Sequence, residues 1–262
     1  MGQRIALSNG RRLVDDVIQM ASRMPLASVS CDWDLPDIAR LRRMVQPRIS
    51  WNVLVMKAHA AACTQMPRFQ CGYVKIPWPH LYQHHQNVCM MTISRKHMGE
   101  DRLLFARFNE PDNHTLLELQ QQYDFYRKTP VEQIKQFRHQ IHFAKWPSPV
   151  RWLAWRGLFN LWPRKRAFHM GTFGMSVSGY KGAYGAFHLG PNTSTIGVDP
   201  MPRKGKSKVV LTFDHRVVDG VPATEFLLLV RHILNTAIRA ELAKLAGVRP
   251  NNLEPLDDRV AA

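Results

Sequence analysis

Cysteine is scarce in this 262-residue chain, and none of its four cysteines (Cys31, Cys63, Cys71, Cys89) forms a Cys-x-x-Cys pair. That spacing offers neither a zinc ribbon nor a disulfide framework, and the thiols fall in apolar-periodic segments, so buried free side chains are expected. Long apolar runs are also missing. No stretch reaches the roughly 18 uninterrupted apolar residues of a membrane-spanning helix, and the opening MGQRIALSNGRR lacks the apolar segment of a secretory signal. The expected location is the cytoplasm. No internal repeat and no long Gly/Ser- or Pro-rich linker divides the chain, so one domain is expected over residues 1–248, with a polar tail over 249–262. Acid is outnumbered as well: 20 Asp and Glu against 36 Lys and Arg leave a formal charge of +16. Such a field attracts anionic ligands, and nucleic acid, acidic proteins and anionic lipid all respond to it.

With 45% hydrophobic residues, the chain can bury a sizeable core. Helical spacing marks Leu13 to Met24, Pro36 to Val45 and Val53 to Cys63, the last ended by Pro67, while Ala27 to Trp33 alternates as a strand. Val88 to Ile93 and Leu103 to Phe108 read as a hairpin across the polar turn Ser94 to Asp101, and Thr115 to Tyr126 reads as an amphipathic helix. Near the end, the β-branched run Lys208 to Phe213 leads into a turn over Asp214 to Gly220, then a long helix with Pro222 at its first position. Alternating strands and helices indicate an α/β fold. His80, His84 and His85 are the one further metal-type cluster, but Pro77 and Pro79 oppose a regular helix there and no acid completes a ligand set. A polar surface loop without metal is expected.

The chemistry-bearing segment is LTFDHRVVDG, residues 211–220, in which a strand delivers His215 into a tight turn closed by Gly220. Its His-x-x-x-Asp-Gly pattern, with Phe213-Asp214 and Phe226-Leu227 flanking, resembles the catalytic signature of dihydrolipoamide acyltransferases (2-oxoacid dehydrogenase acyltransferases), which chloramphenicol acetyltransferases share. A second stretch, GTFGMSVSG over residues 171–179, resembles the Gly-Thr-Phe-x-x-Ser-x-x-Gly segment of the same proteins. The opening helix, DLPDIARLRR, QMPRF and QNVCMMTI follow in the family's order.

The resemblance implies a chloramphenicol acetyltransferase-like fold, a mixed β-sheet with flanking helices in a two-layer sandwich. It implies transfer of an acyl group between a coenzyme A thioester and a thiol, hydroxyl or amine acceptor, dihydrolipoamide among them. An imidazole titrates near neutrality and can take the acceptor's proton, so His215 is the implied general base. Ser176, with Ser178 as fallback, would donate a hydrogen bond to the tetrahedral oxyanion. Asp219 would be architectural, paired with Arg11 or Arg12, because a buried carboxylate without a cation is costly. Coenzyme A, rich in phosphate, suits the basic field as a substrate; no permanently bound cofactor is implied, and any lipoate would come from another protein. The family architecture adds a homotrimer with its active site between subunits, and larger assemblies built from it.

Two departures stand out. The catalytic segment is expected to begin almost at the first residue, without lipoyl or subunit-binding modules ahead of it. The segment over about 133–169 is longer, more aromatic and more basic than the family's connection. It could line an acyl pocket, meet a partner, rest on anionic lipid, or pack as a helix pair. The alternative to a transferase is a catalytically silent structural core or scaffold subunit of a 2-oxoacid dehydrogenase-type assembly. No nucleic-acid-binding motif accompanies the charge, so nucleic acid is not an expected partner.

Overall fold

A computed structural model describes residues 2–3, 6–176, 179–180, 183–184, 188, 190–198 and 205–248. The polar tail expected over 249–262 and the fallback Ser178 lie outside the described residues. The elements run α1 (Asn9–Ala21), β1 (Leu26–Asp34), α2 (Pro36–Met44), α3 (Trp51–Gln65), β2 (Cys71–Val74), β3 (His80–Gln83), β4 (Val88–His97), β5 (Glu100–Asn109) and α4 (Leu116–Lys128). They continue with α5 (Lys135–Ala144), α6 (Ser148–Asn160), α7 (Pro163–Met170), β6 (Phe173–Ser176), β7 (Gly179–Tyr180), β8 (Ala183–Tyr184), β9 (Ser194–Val198), β10 (Lys206–Asp214), α8 (Gly220–Ile233) and α9 (Arg239–Leu245). A π-helical segment, Leu234–Ile238, joins α8 to α9.

The main sheet has the order β1-β10-β9-β6-β4-β5, antiparallel except where β6 runs parallel to both β4 and β9. This is a mixed sheet with flanking helices. Strand alternation sorts its side chains into two layers. Cys89, Met91, Phe173, Met175, Ile196, Leu211 and Phe213 join the large core with α3 and α8. Helix α3 is buried nearly all round, with Val53, Leu54, Val55 and Met56 fully enclosed, because it runs between the sheet and other helices. Helix α4 starts on a capping box in which Thr115 and Glu118 exchange bonds.

The β4–β5 hairpin is longer than its apolar residues suggest. Both strands continue through Ser94 to His97 and Glu100 to Arg102 as a polar ribbon, and the turn shrinks to Met98 and Gly99, both at positive φ. A two-residue turn of that hand matches the twist of the strands it joins. Likewise Pro222 stands third in α8, since Gly220 and Val221 precede it within the helix.

The basic, aromatic segment folds as α5, α6 and α7. These helices and α1 cover the outer face of the β4–β5 edge through a second core of Leu13, Val17, Ala144, Trp155, Leu158 and Met170, with Phe105 packed against it. A buried ion pair clamps this layer: Arg151 Nε and Nη2 donate to Asp16 carboxylate oxygens at 2.7 and 3.0 Å, and the Trp155 indole N–H adds a bond at 3.2 Å. Removing one partner strands the other charge away from water. Asp16→Ala is therefore expected to lower unfolding free energy by about 3 kcal/mol in urea titrations, whereas Lys128→Ala, at an exposed pair with Asp124, changes it by under about 0.5 kcal/mol.

Candidate active site

Strand β10 ends at Asp214, and the chain turns at once. Val217 and Val218 both donate backbone N–H bonds to the Asp214 carbonyl, and their buried side chains pin the turn to the core. His215 N–H donates to the Pro25 carbonyl at 2.9 Å, fixing the histidine beside the start of β1. The Asp214 side chain is fully buried and accepts from Arg216 three times: backbone N–H at 3.1 Å, Nε at 2.9 Å and Nη2 at 2.7 Å. Such a bidentate pair is geometrically specific. The Arg216 guanidinium also stacks over the Tyr73 ring at 4.2 Å.

The imidazole itself is half-exposed, with Nδ1 3.3 Å from the Asp219 carboxylate. Its Nε2 has no hydrogen-bond partner among the described residues. Asp219 is the N-cap residue of α8, and its carbonyl accepts from Ala223 N–H. One ring nitrogen is thus oriented by a carboxylate and the other is open to a reactant, which is the geometry a general base needs.

Ser176 closes β6 on the outer face of the sheet, its hydroxyl without a partner among the described residues. It pairs with Gly197 of β9, which in turn faces Val210 of β10. From that row to His215 is five residues along β10, about 17 Å, and two strands across, about 10 Å. Ser176 and His215 of one chain therefore do not meet. Beside Ser176 the strands carry Gly174 and Gly197 because neighbours take the space a Cβ would fill: the Thr195 side chain at Gly174 and at Gly190, and the His188 ring at Gly197.

No protein-family model matches the chain, and no curated protein matches it in sequence. Solved structures do. A catalytic core of the 2-oxoacid dehydrogenase multienzyme complex from Thermoplasma acidophilum is similar at 14% identity with a TM-score of 0.66, covering 90% of this chain and 99% of that one. A dihydrolipoamide acetyltransferase from Azotobacter vinelandii, studied for the catalytic roles of a serine, a histidine and an asparagine, is similar at 16% identity and TM-score 0.63, covering 92% and 94%. A chloramphenicol acetyltransferase is similar at 14% identity and TM-score 0.51, covering 89% and 100%. The chain has the chloramphenicol acetyltransferase-like fold.

On that fold the expected pairing of Asp219 with Arg11 or Arg12 is corrected within the chain. Asp219 is 82% exposed and the side chain beside it is His215, while Arg11 and Arg12 stand on α1. An exposed carboxylate needs no cation to repay desolvation. The buried carboxylate of the turn is Asp214, which motif reading passed over as a flanking match. A second cation, from the insertion, acts on it by charge without a direct bond. Arg166 of α7 is buried, donates to the Tyr73 and Pro191 carbonyls, and is held to about 10 by burial and by Arg216, with Asp214 opposing.

The histidine cluster is corrected as well. His80 begins β3, and His84 is buried over Gly72 beside Arg166 and the Tyr82 ring, because its N–H bonds to the Gln70 carbonyl and folds it inward. Its pKa falls to about 4 through burial, then the nearby Arg166 and His85.

Proposed function

We propose that the protein transfers an acyl group between a coenzyme A thioester and an acceptor thiol, hydroxyl or amine. The observation that carries this reading is His215, set on a rigid turn with Nδ1 against Asp219 and Nε2 open. Nε2 accepts the acceptor's proton as its heteroatom attacks the thioester carbonyl. The resulting oxyanion takes a hydrogen bond from a Ser176 hydroxyl, and collapse expels the coenzyme A sulfur, which recovers the proton from the imidazolium. Asp219 positions the ring. The similar Azotobacter enzyme is described through a histidine and an asparagine four positions apart, the spacing of His215 and Asp219. Because Ser176 and His215 lie far apart in one chain, the working site forms between neighbouring chains of a trimer. Dihydrolipoamide carried by another protein is one acceptor this arrangement suits, and a cytoplasmic setting would supply coenzyme A.

Thiol release from a panel of acyl-coenzyme A thioesters with candidate acceptors tests the reading. His215→Ala is expected to lower acceptor-dependent turnover by about 10³-fold and Ser176→Ala by about 10²-fold. Native turnover equal to that of His215→Ala across the panel would leave a structural core subunit in its place.

A further inference from the structure

Between α4, α5, α6, α7 and the β5 edge lies a cavity of about 1020 Å³. That is the upper end of small-molecule sites. Its wall is apolar, built from Phe105, Phe125, Ile134, Phe143, Trp155 and Leu158. Beside the neutral Gln133, Gln136 and Gln140, its titratable side chains of Arg, Lys and His type all belong to the basic class. Arg107, Lys135, His139, His142 and His169 line it, and no carboxylate does. Indeed no Asp or Glu occurs anywhere from Gln133 to His169.

These basic side chains have no acidic partner in the wall. Lys135 has no hydrogen-bond or ion-pair partner among the described residues. His169 is held below its ordinary value by burial and then by the charges of Arg107, Lys165 and His139. The Arg107 guanidinium lies on the Phe168 ring at 3.8 Å and donates to the Phe168 carbonyl, which fixes a positive charge beside the aromatic wall. An apolar chamber of this size, with the charges of Arg107 and Lys135 and no carboxylate in its wall, fits a ligand that has both a hydrocarbon body and a negative head.

We propose that this cavity binds an anionic amphiphile, a hydrocarbon chain ending in a carboxylate or a phosphate. The site also has a place relative to Ser176. Phe105 faces Thr92 across β5 and β4, and Thr92 follows Met91, the partner of Met175, so Phe105, Thr92 and Ser176 share a row on the outer face. Two strand spacings put the cavity wall about 10 Å from Ser176. The inference does not depend on acyl transfer, because occupancy is measured directly.

Calorimetric titration of the full chain with decanoate, decyl phosphate and decanol tests it, and the two anions distinguish the head groups. At least one anion is expected to bind saturably and about tenfold more tightly than decanol, in native protein and in His215→Ala alike. Combining Lys135→Gln with His139→Gln, both at exposed positions, is expected to weaken that anion about tenfold and leave decanol unchanged. Leu158→Trp, its fold checked by circular dichroism, is expected to weaken binding of every probe by narrowing the chamber. Decanol binding as tightly as both anions, anion affinity unmoved in the double variant, or no saturable binding of any probe would each overturn the proposal.

Discussion

Mixed oligomers assembled from His215→Ala and Ser176→Ala chains are expected to recover about a quarter of native turnover, although each parent alone is nearly inactive. The number follows from geometry. If each site takes its histidine from one chain and its serine from the next, random mixing in equal amounts gives half the sites a native histidine and, independently, half a native serine. The strand register motivates the arrangement: Ser176 sits on the row of Gly197 and Val210, five residues short of His215 on β10 and two strands away. Co-expression in equal amounts, with a different affinity tag on each chain to verify mixing, gives the whole population, and thiol release reads its activity without separating the species. Recovery to near a quarter places the two residues in different chains. No recovery above the parents, in oligomers shown to contain both chains, would place them in one.

What the sequence displays about this site is its local part. His215 and the turn after it are legible because a strand of β-branched residues, a helix start and Gly220 stand side by side in ten positions. The fold is legible through the ordering of several such short segments. Asp214 was equally visible but carried no signal of its own importance: that it is fully buried, and that Arg216 closes on it while Arg166 approaches from α7, depends on contacts distant in the chain. Asp219 misleads for a related reason. The family resemblance implies an arginine-paired acid at this position, and only the placement of α8 shows it at the surface. The 133–169 segment announces its composition plainly. Its consequences need the tertiary structure, since the same aromatics that pack α5, α6 and α7 onto β5 also wall a chamber. The polar ribbon of β4 and β5 escapes reading because cross-strand pairing, not apolar alternation, maintains it.

Acid is expected to unfold the native protein earlier than a His59→Phe variant. His59 lies in α3 at full burial, stacked on Phe173 at 4.3 Å and edge-on to Phe226 at 4.8 Å. Its Nε2 shares a 3.1 Å hydrogen bond with the Ser194 hydroxyl, while Nδ1 has no partner among the described residues. Burial alone holds its pKa at about 3, so the folded protein keeps it neutral. Once unfolded, the ring returns to about 6.5 and binds a proton. The depressed value means that stability is fully present above about 6.5 and is lost progressively as pH falls from there toward about 3. Each pH unit within that window costs about 1.4 kcal/mol, so His59 alone removes about 2 kcal/mol between pH 7.5 and pH 5. His84, held to about 4, and His169, also lowered, act in the same direction and remain in both proteins. The difference between native and His59→Phe therefore isolates one group. Urea unfolding at the two pH values is expected to show the native protein losing about 2 kcal/mol more than the variant. Equal losses in the two proteins would mean that His59 is protonated within the folded core, and that Nδ1 has an acceptor there to hold the proton.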